Sequence, residues 1–528
     1  MDGPHRWHGG RIWTGTGWAE SLLVEDGRVV AVGDDASVRR QRGTGTVDHP
    51  LRGRLVVPGL IDAHLHLGEI ALREDAIALA GRSPDEAEAR LREAASVSPS
   101  RSGPLLAHGW TEGEGGPRWT ADRLDRLVPD RPLAVLHASG HAAVVNSAML
   151  EAAGIRPGAP DPPGGRIGRT ADGAPDGRLH ESAVAPVGRV LHASLPRRVP
   201  SLRRVLRRLS RLGIVAVGTM HCSGPEAEAL AAGARGPAAG VRIRAFLGLE
   251  EFARRPDGEL RAAPSPDAPY RIAGVKGVAD GAFGTRTAWL SAPYSDDPST
   301  AGGPVDPVPR LREAAERARR LGLLPAVHAL GDRGVAAALD ALAPTPGSPA
   351  PAAGRIEHAG LVPPGLADRL ATSGLGVAVQ PVFLWSDHWL AARLGPERAR
   401  WAYPFGTLRA KGVPLAGSSD APFDREDPWL GLAALVARSD RAGRSANPAP
   451  AEALPPEAAW EAYTRSGARW LGDPEAGAIG PGAPADFVIV EATGLAEAIG
   501  RGAVAVRETW RAGRRASIGP AGALPWGA

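Results

Sequence analysis

Six side chains in this 528-residue chain have the types needed to hold divalent cations and move a proton. His64 and His66 stand at i and i+2 near the end of an apolar run that begins at Leu55 and reads as one strand. On a strand, residues two apart share a face, so both imidazoles can reach one point. Neutral imidazole is a common ligand for divalent metals. Four more candidates each close an apolar run of their own: Lys276 after residues 270–275, His328 after 322–327, His358 after 354–357, and Asp420 after 413–419. Taken singly, each has an ordinary reading: a surface charge for Lys276, core histidines for His328 and His358, and a helix N-cap for Asp420. Taken together, six such residues in this order point to one metal-dependent site.

The lysine is informative through its rarity. Lysine occurs only at Lys276 and Lys411, so about 60 of the 62 basic residues are arginine. Lysine can lose its proton and act as a nucleophile, which arginine cannot do.

The elements that must position these groups follow from pattern. Residues 11–56 read as short strands, with Asp26-Gly27 as a two-residue hairpin signal between two of them. The C-terminus reads alike, with strands expected at 487–491, 503–506 and 508–511. Neither end can bury a core alone, so residues 1–56 and 476–528 are expected to form one composite β-sandwich domain. Residues 57–475 alternate apolar strands with Arg/Ala/Leu-rich helices such as 311–321 and 364–372, which predicts an α/β fold, a distorted (β/α)8 TIM barrel. In such a barrel, catalytic groups come from the C-terminal ends of several strands. Residues 68–200 are too long for one connection and read as an insertion after the first barrel strand, a lid over the site. The Gly480-x-Gly482-x-x-Ala485 run precedes a strand rather than joining strand to helix, so it is not a dinucleotide fingerprint.

The order His-x-His, Lys, His, His, Asp resembles the amidohydrolase superfamily. The words around it resemble its amidohydrolase-3 branch, which includes YtcJ-like and N-substituted formamide deformylase-like proteins. Those words include Pro58-Gly59-Leu60-Ile61-Asp62-Ala63-His64-Leu65-His66, Gly109-Trp110-Thr111-Glu112, Gly140-His141-Ala142, Val275-Lys276-Gly277, Arg355-Ile356-Glu357-His358, Val379-Gln380-Pro381 and Gly417-Ser418-Ser419-Asp420-Ala421-Pro422. The likeness spans nearly the whole chain. It departs after Ile214, where residues 215–222 replace the family's Thr and Asp, and at Arg333-Gly334. His221, within the first departure, is read as a core histidine, with a substrate contact as the alternative.

The resemblance implies that His64 and His66 hold one metal, His328 and His358 a second, and that Lys276 carries a carbon dioxide-derived carbamate able to bridge them. Two divalent ions are expected, zinc first, with iron or manganese fitting the same donors. A metal-activated hydroxide would attack a carbonyl carbon, while Asp420 shuttles the proton to a leaving nitrogen. The expected activity is hydrolysis of a non-peptide carbon–nitrogen bond in an amide, N-substituted formamide or cyclic amide. A metal-dependent esterase or deaminase, or a metal-free degenerate binding protein, are the alternatives. Trp110, Trp289, Trp385, Trp389 and Trp401 could line an apolar pocket or pack in cores. His141, Asp280 and Gln380 are expected substrate contacts from resemblance alone.

Composition narrows the partners. A net charge of +4 without a basic, aromatic-interleaved run argues against nucleic acid. The absence of an 18-residue apolar segment argues against a membrane span, and one cysteine, Cys222, fits a reducing cytoplasm. The expected partner is a small-molecule substrate. A homo-oligomer is left open.

Overall fold

The computed structural model describes residues 3–96, 103–111, 119–138, 142–162, 164–236, 240–261, 267–344 and 354–519. Eight parallel strands form its central sheet: Leu60–Leu65, Ile214–Cys222, Arg242–Gly248, Tyr270–Val278, Leu324–Ala329, Arg355–His358, Gly376–Val379 and Leu415–Gly417. They lie side by side in chain order. The edges meet just beyond the last strand, where the Asp420 N–H donates to the His64 carbonyl and the His66 N–H donates to the Ala421 carbonyl, both at 2.8 Å. This seam closes the sheet into the barrel. Helices Val308–Arg320 and Pro364–Ser373 lie within three residues of where the Arg/Ala/Leu patterns place them.

Strands from both termini form a second, eight-stranded sheet. Its N-terminal members run from His5–Trp13 to Leu55–Pro58, and its C-terminal ones are Phe487–Val490, Val506–Arg511 and Arg514–Ile518. Asp26 and Gly27, both at positive φ (49° and 79°), make the tight turn between Trp18–Glu25 and Arg28–Gly33. The sheet shares one apolar core, in which Trp7 meets Phe487 and Trp510 edge-on at 4.9 Å. Such pairs add about 0.5–1.5 kcal/mol each beyond area burial. The strand expected at 503–506 is instead a 3-10 turn over Gly502–Ala505, and the strand starts at Val506. Alternation of alanine and valine cannot separate these two outcomes, because a short apolar run suits either.

The apolar run that carries the histidines is not one strand. Leu55–Pro58 belongs to the terminal sheet and Leu60–Leu65 to the barrel. Gly59 makes the break. Its N–H donates to the Asp486 carbonyl, the next N–H donates to Gly213, and a Cβ at Gly59 would lie 2.5 Å from the Val215 side chain. Hydrophobicity is continuous across the break because both sheets bury the chain, so composition alone does not reveal it.

The arginine-rich composition has a structural use. Arg242, Arg244, Arg355 and Arg438 are among the largest fully buried side chains. Arg244 and Arg271 converge on Asp473 at 2.7 and 2.6 Å, and Arg242 pairs with Asp486. A planar fork with several donors satisfies such buried acceptors better than an ammonium.

Residues Leu67–Val205 and Ser223–Gly233 form a compact unit of their own. A six-stranded sheet runs through it, with a core around Leu91, Ala107, Leu124 and Val135. Within this unit His192 is held between two carboxylates, with Nε2 2.6 Å from Glu69 and Nδ1 3.6 Å from Glu226. Burial opposes its charge, but the hydrogen bonds and charges of Glu226 and Glu69 push the imidazolium up to about 10. Its folded value lies above the ordinary 6.5, so its stabilisation is complete below that pH and is lost as pH rises through 10. The melting temperature of wild type is therefore expected to exceed that of His192→Gln at pH 6.5 and to converge with it above pH 10. A gap independent of pH would mean that the ring is neutral.

Candidate metal centre

All six chemistry-bearing residues lie at the C-terminal ends of barrel strands or just past them. Among the described residues, His64, His66 and Asp420 form the group whose ligand atoms all lie within 4.8 Å of one another. Asp420 Oδ1 is 3.1 Å from Nε2 of His64 and 3.1 Å from Nε2 of His66. The barrel seam places it there, because the backbone bonds that join Asp420 to His64 and His66 to Ala421 also bring these side chains together. Asp62, on the same strand face as His64, ties the seam further by accepting from the N–H groups of His64 (3.2 Å) and Ser419 (3.1 Å).

The remaining rings pack alongside. His358 lies 5.1 Å from His64 and 4.5 Å from His328, centroid to centroid. Strand alternation would send Glu357 and His358 to opposite faces. Both nonetheless reach His64, because His358 adopts φ +73° and Ala359 follows at +47°. Asp420 is likewise left-handed, at +56°. Non-glycine residues in this region cost of order 1–3 kcal/mol each and gather at functional sites.

Hydrogen bonding sets the tautomers. His64 Nδ1 donates to Glu357 Oε2 at 2.7 Å, His358 Nδ1 to Gln380 Oε1 at 2.6 Å, and His328 Nε2 to the Gly281 carbonyl at 3.0 Å. In a neutral ring held this way the second nitrogen keeps its lone pair, the form in which imidazole binds metal. At His64 that lone pair faces a carboxylate oxygen 3.1 Å away. A proton or a metal ion between these two atoms satisfies both, and His66 adds a third donor within 4.8 Å. The donor set therefore fits a divalent metal.

Electrostatics agree with this arrangement. Burial would raise the Asp420 carboxyl, but the imidazoles of His64, His66 and His358 hold it well below the usual range. Burial pushes His358 well below its ordinary value and, with the Lys276 charge, takes His328 down to about 4. Lys276 is buried on the fourth strand and is drawn down to about 8 by desolvation, against the pull of Glu357 and Asp420. Among the described residues, no group accepts a hydrogen bond from its amine.

Sequence reasoning missed Glu357. Its Oε1 pairs with Arg355 at 2.6 Å, its Oε2 orients His64, and both charged residues are fully buried. Its signal was parity, since alternation makes it the inward residue of the Arg-Ile-Glu-His word. Glu357→Gln is expected to weaken metal binding about 10–100-fold, the usual effect of losing a partner behind a ligand. A metal titration against a competing chelator reads this, and unchanged affinity would remove Glu357 from the ligand system.

The expected substrate contacts are disposed differently. The Asp280 carboxylate accepts from the N–H groups of Trp289, Leu330 and Gly331 at 2.8–2.9 Å, so it braces two loops. Gly334 is needed there, because a Cβ would lie 2.2 Å from Asp280 Oδ2. Gln380 spans His358 and the Ser418 hydroxyl, to which its amide donates at 2.9 Å. Both residues thus serve protein groups. His221 is exposed at φ +57°, not in the core, because it falls at the open end of its strand. Trp110 stacks on Trp119 at 5.9 Å within the second unit, and His141 lies outside the described residues. Arginines cover the rings of Trp289 and Trp389, while Trp385 and Trp401 are partly buried.

The model of the amidohydrolase family matches residues 48–516. The putative amidohydrolase YtcJ of Bacillus subtilis is 32% identical over 92% of this chain and 93% of its own. An N-substituted formamide deformylase of Arthrobacter pascens is 26% identical over 90% of each chain. The crystal structure of an uncharacterized metal-dependent hydrolase from Pyrococcus horikoshii OT3 superposes with a TM-score of 0.82, at 28% identity, covering 94% of this chain and 99% of that one.

Proposed function

The chain belongs to the amidohydrolase family, and from that premise we propose that it hydrolyses a carbon–nitrogen bond of a small amide, N-substituted formamide or cyclic amide. The observation that carries the reading is the meeting of His64, His66 and Asp420 ligand atoms within 4.8 Å. In this reading His64 and His66 hold one divalent ion, His328 and His358 a second, and zinc is the first choice for both. Lys276, as the free amine, would add carbon dioxide with loss of a proton, and the resulting carbamate would supply further oxygen donors for the metal site. When bound, the ions supply Lewis acidity, polarising the substrate carbonyl and making water acidic near neutral pH.

The chain's own groups do the rest. Asp420 takes the proton of the attacking water, being ionised across the neutral range, and passes it to the departing nitrogen. Glu357 and Gln380 keep His64 and His358 in the ligand tautomer. Asp280 holds the loops around His328. In this reading the composite terminal domain spans 1–56 with 476–528 and the hydrolase barrel 57–475. The single cysteine, Cys222, is buried and supports a cytoplasmic setting, and no described helix is long and apolar enough to cross a membrane.

The test is metal content with turnover. Purified protein is expected to carry metal, to lose activity to a chelator and to regain it with zinc and bicarbonate. Assays on N-alkyl and N-benzyl formamides, hydantoins and simple esters, scored for released amine or acid, identify the bond. Well-folded protein with under about 0.2 equivalents of metal and no gain on reconstitution would sink the proposal, since a structural ligand set of this kind fills at stoichiometry.

A further inference from the structure

Two phenyl rings stand against the histidines of the centre, and the chemistry so far uses neither. Phe423 meets His66 edge to face at 5.4 Å and 89°. Phe383 lies parallel to His358 at 6.1 Å and 4°. Each is pinned by a backbone bond to a residue of the site: the Phe423 N–H donates to the Asp420 carbonyl at 3.0 Å, and the Phe383 N–H to the Gln380 carbonyl at 3.1 Å.

Their exposure differs, and the difference is what calls for explanation. Phe423 is 68% exposed, the only exposed large aromatic side chain of the barrel among the described residues. Trp18, the other aromatic in that state, lies on the terminal sheet. A surface phenylalanine needs no explanation by itself. This one, however, is fixed by a tight turn directly after Asp420 and beside a metal-binding imidazole. Its ring gains nothing from the protein's own core, so its apolar face is available to whatever reacts at Asp420.

We propose that Phe423 determines specificity by favouring substrates whose group next to the scissile carbon–nitrogen bond is a planar aromatic ring. Aromatic rings pack best edge-on or offset against one another, and a fixed phenyl offers that contact where a flexible aliphatic chain would not. This inference rests on the hydrolase reading above.

The experiment compares N-benzylformamide with N-ethylformamide in wild type, Phe423→Ala and Phe423→Leu, all loaded with zinc. Wild type is expected to favour the benzyl substrate in kcat/KM by about tenfold, the scale of one buried aromatic contact. Phe423→Ala brings the ratio close to one, and Phe423→Leu keeps it intermediate, with metal content unchanged in both. A ratio near one in wild type, or one that survives in Phe423→Ala, overturns the proposal. If wild type cleaves neither amide, the hydrolase reading has failed and binding decides instead. N-benzyl-N-hydroxyformamide binding about tenfold more tightly than N-ethyl-N-hydroxyformamide, with the gap lost in Phe423→Ala, upholds the role of Phe423. Equal binding, or none, overturns it.

Discussion

Lys276→Arg is expected to fold, to retain less than half the metal of wild type and to lose activity by about 10³-fold. That magnitude follows from losing several kcal/mol of Lewis-acid stabilisation at 1.36 kcal/mol per tenfold. Lys276 sits fully buried on the fourth strand, with neighbouring backbone pairs to Gly248 and Ala326. Its amine is drawn down to about 8. A guanidinium cannot lose its proton there, so it cannot add carbon dioxide and would place a fixed charge beside Arg355 and the histidines. Because a buried arginine could also disturb folding, Lys276→Met provides a neutral side chain of similar length. It should melt near wild type and still lose metal and activity. Full turnover in Lys276→Met would exclude the carbamate. Carbon-13 bicarbonate, giving a carbamate resonance in wild type and none in either variant, tests the modification directly.

Asp420→Asn is the second large effect. The carboxylate is held well below its usual range by three imidazoles, so it stays a base throughout the working pH. The amide cannot take a proton from water. The expected loss is about 10²–10⁴-fold in rate, with much of the metal retained, since His64 and His66 remain. Because the carboxylate titrates below the working range, the loss should be nearly constant across neutral pH. A loss under tenfold at comparable metal content would move the proton transfer to another residue. The two substitutions are separable in one experiment: Lys276→Met acts on metal content first, Asp420→Asn on rate at comparable metal content.

The residue types of the centre were legible before any coordinates. Histidine, lysine and aspartate at the ends of apolar runs stood out as a candidate site, and the scarcity of lysine singled out Lys276. The alternation of strands and helices was also enough for the barrel, because period and length are local properties. Local pattern could not separate a strand from a 3-10 turn at 502–505, nor find the break at Gly59, where two sheets share one hydrophobic run.

What only the tertiary structure decided is which groups orient the histidines. Glu357 lies 293 positions from His64, yet its carboxylate fixes that ring. Gln380 and Asp280 were expected at the substrate, and their acceptors are taken up by His358 and by loop N–H groups. These assignments depend on where the barrel seam closes and on left-handed backbone at His358 and Asp420. Seam register and φ sign are set by packing across the whole sheet, so no window of neighbouring residues encodes them. Chemistry was written in residue type; aim was settled by closure of the barrel.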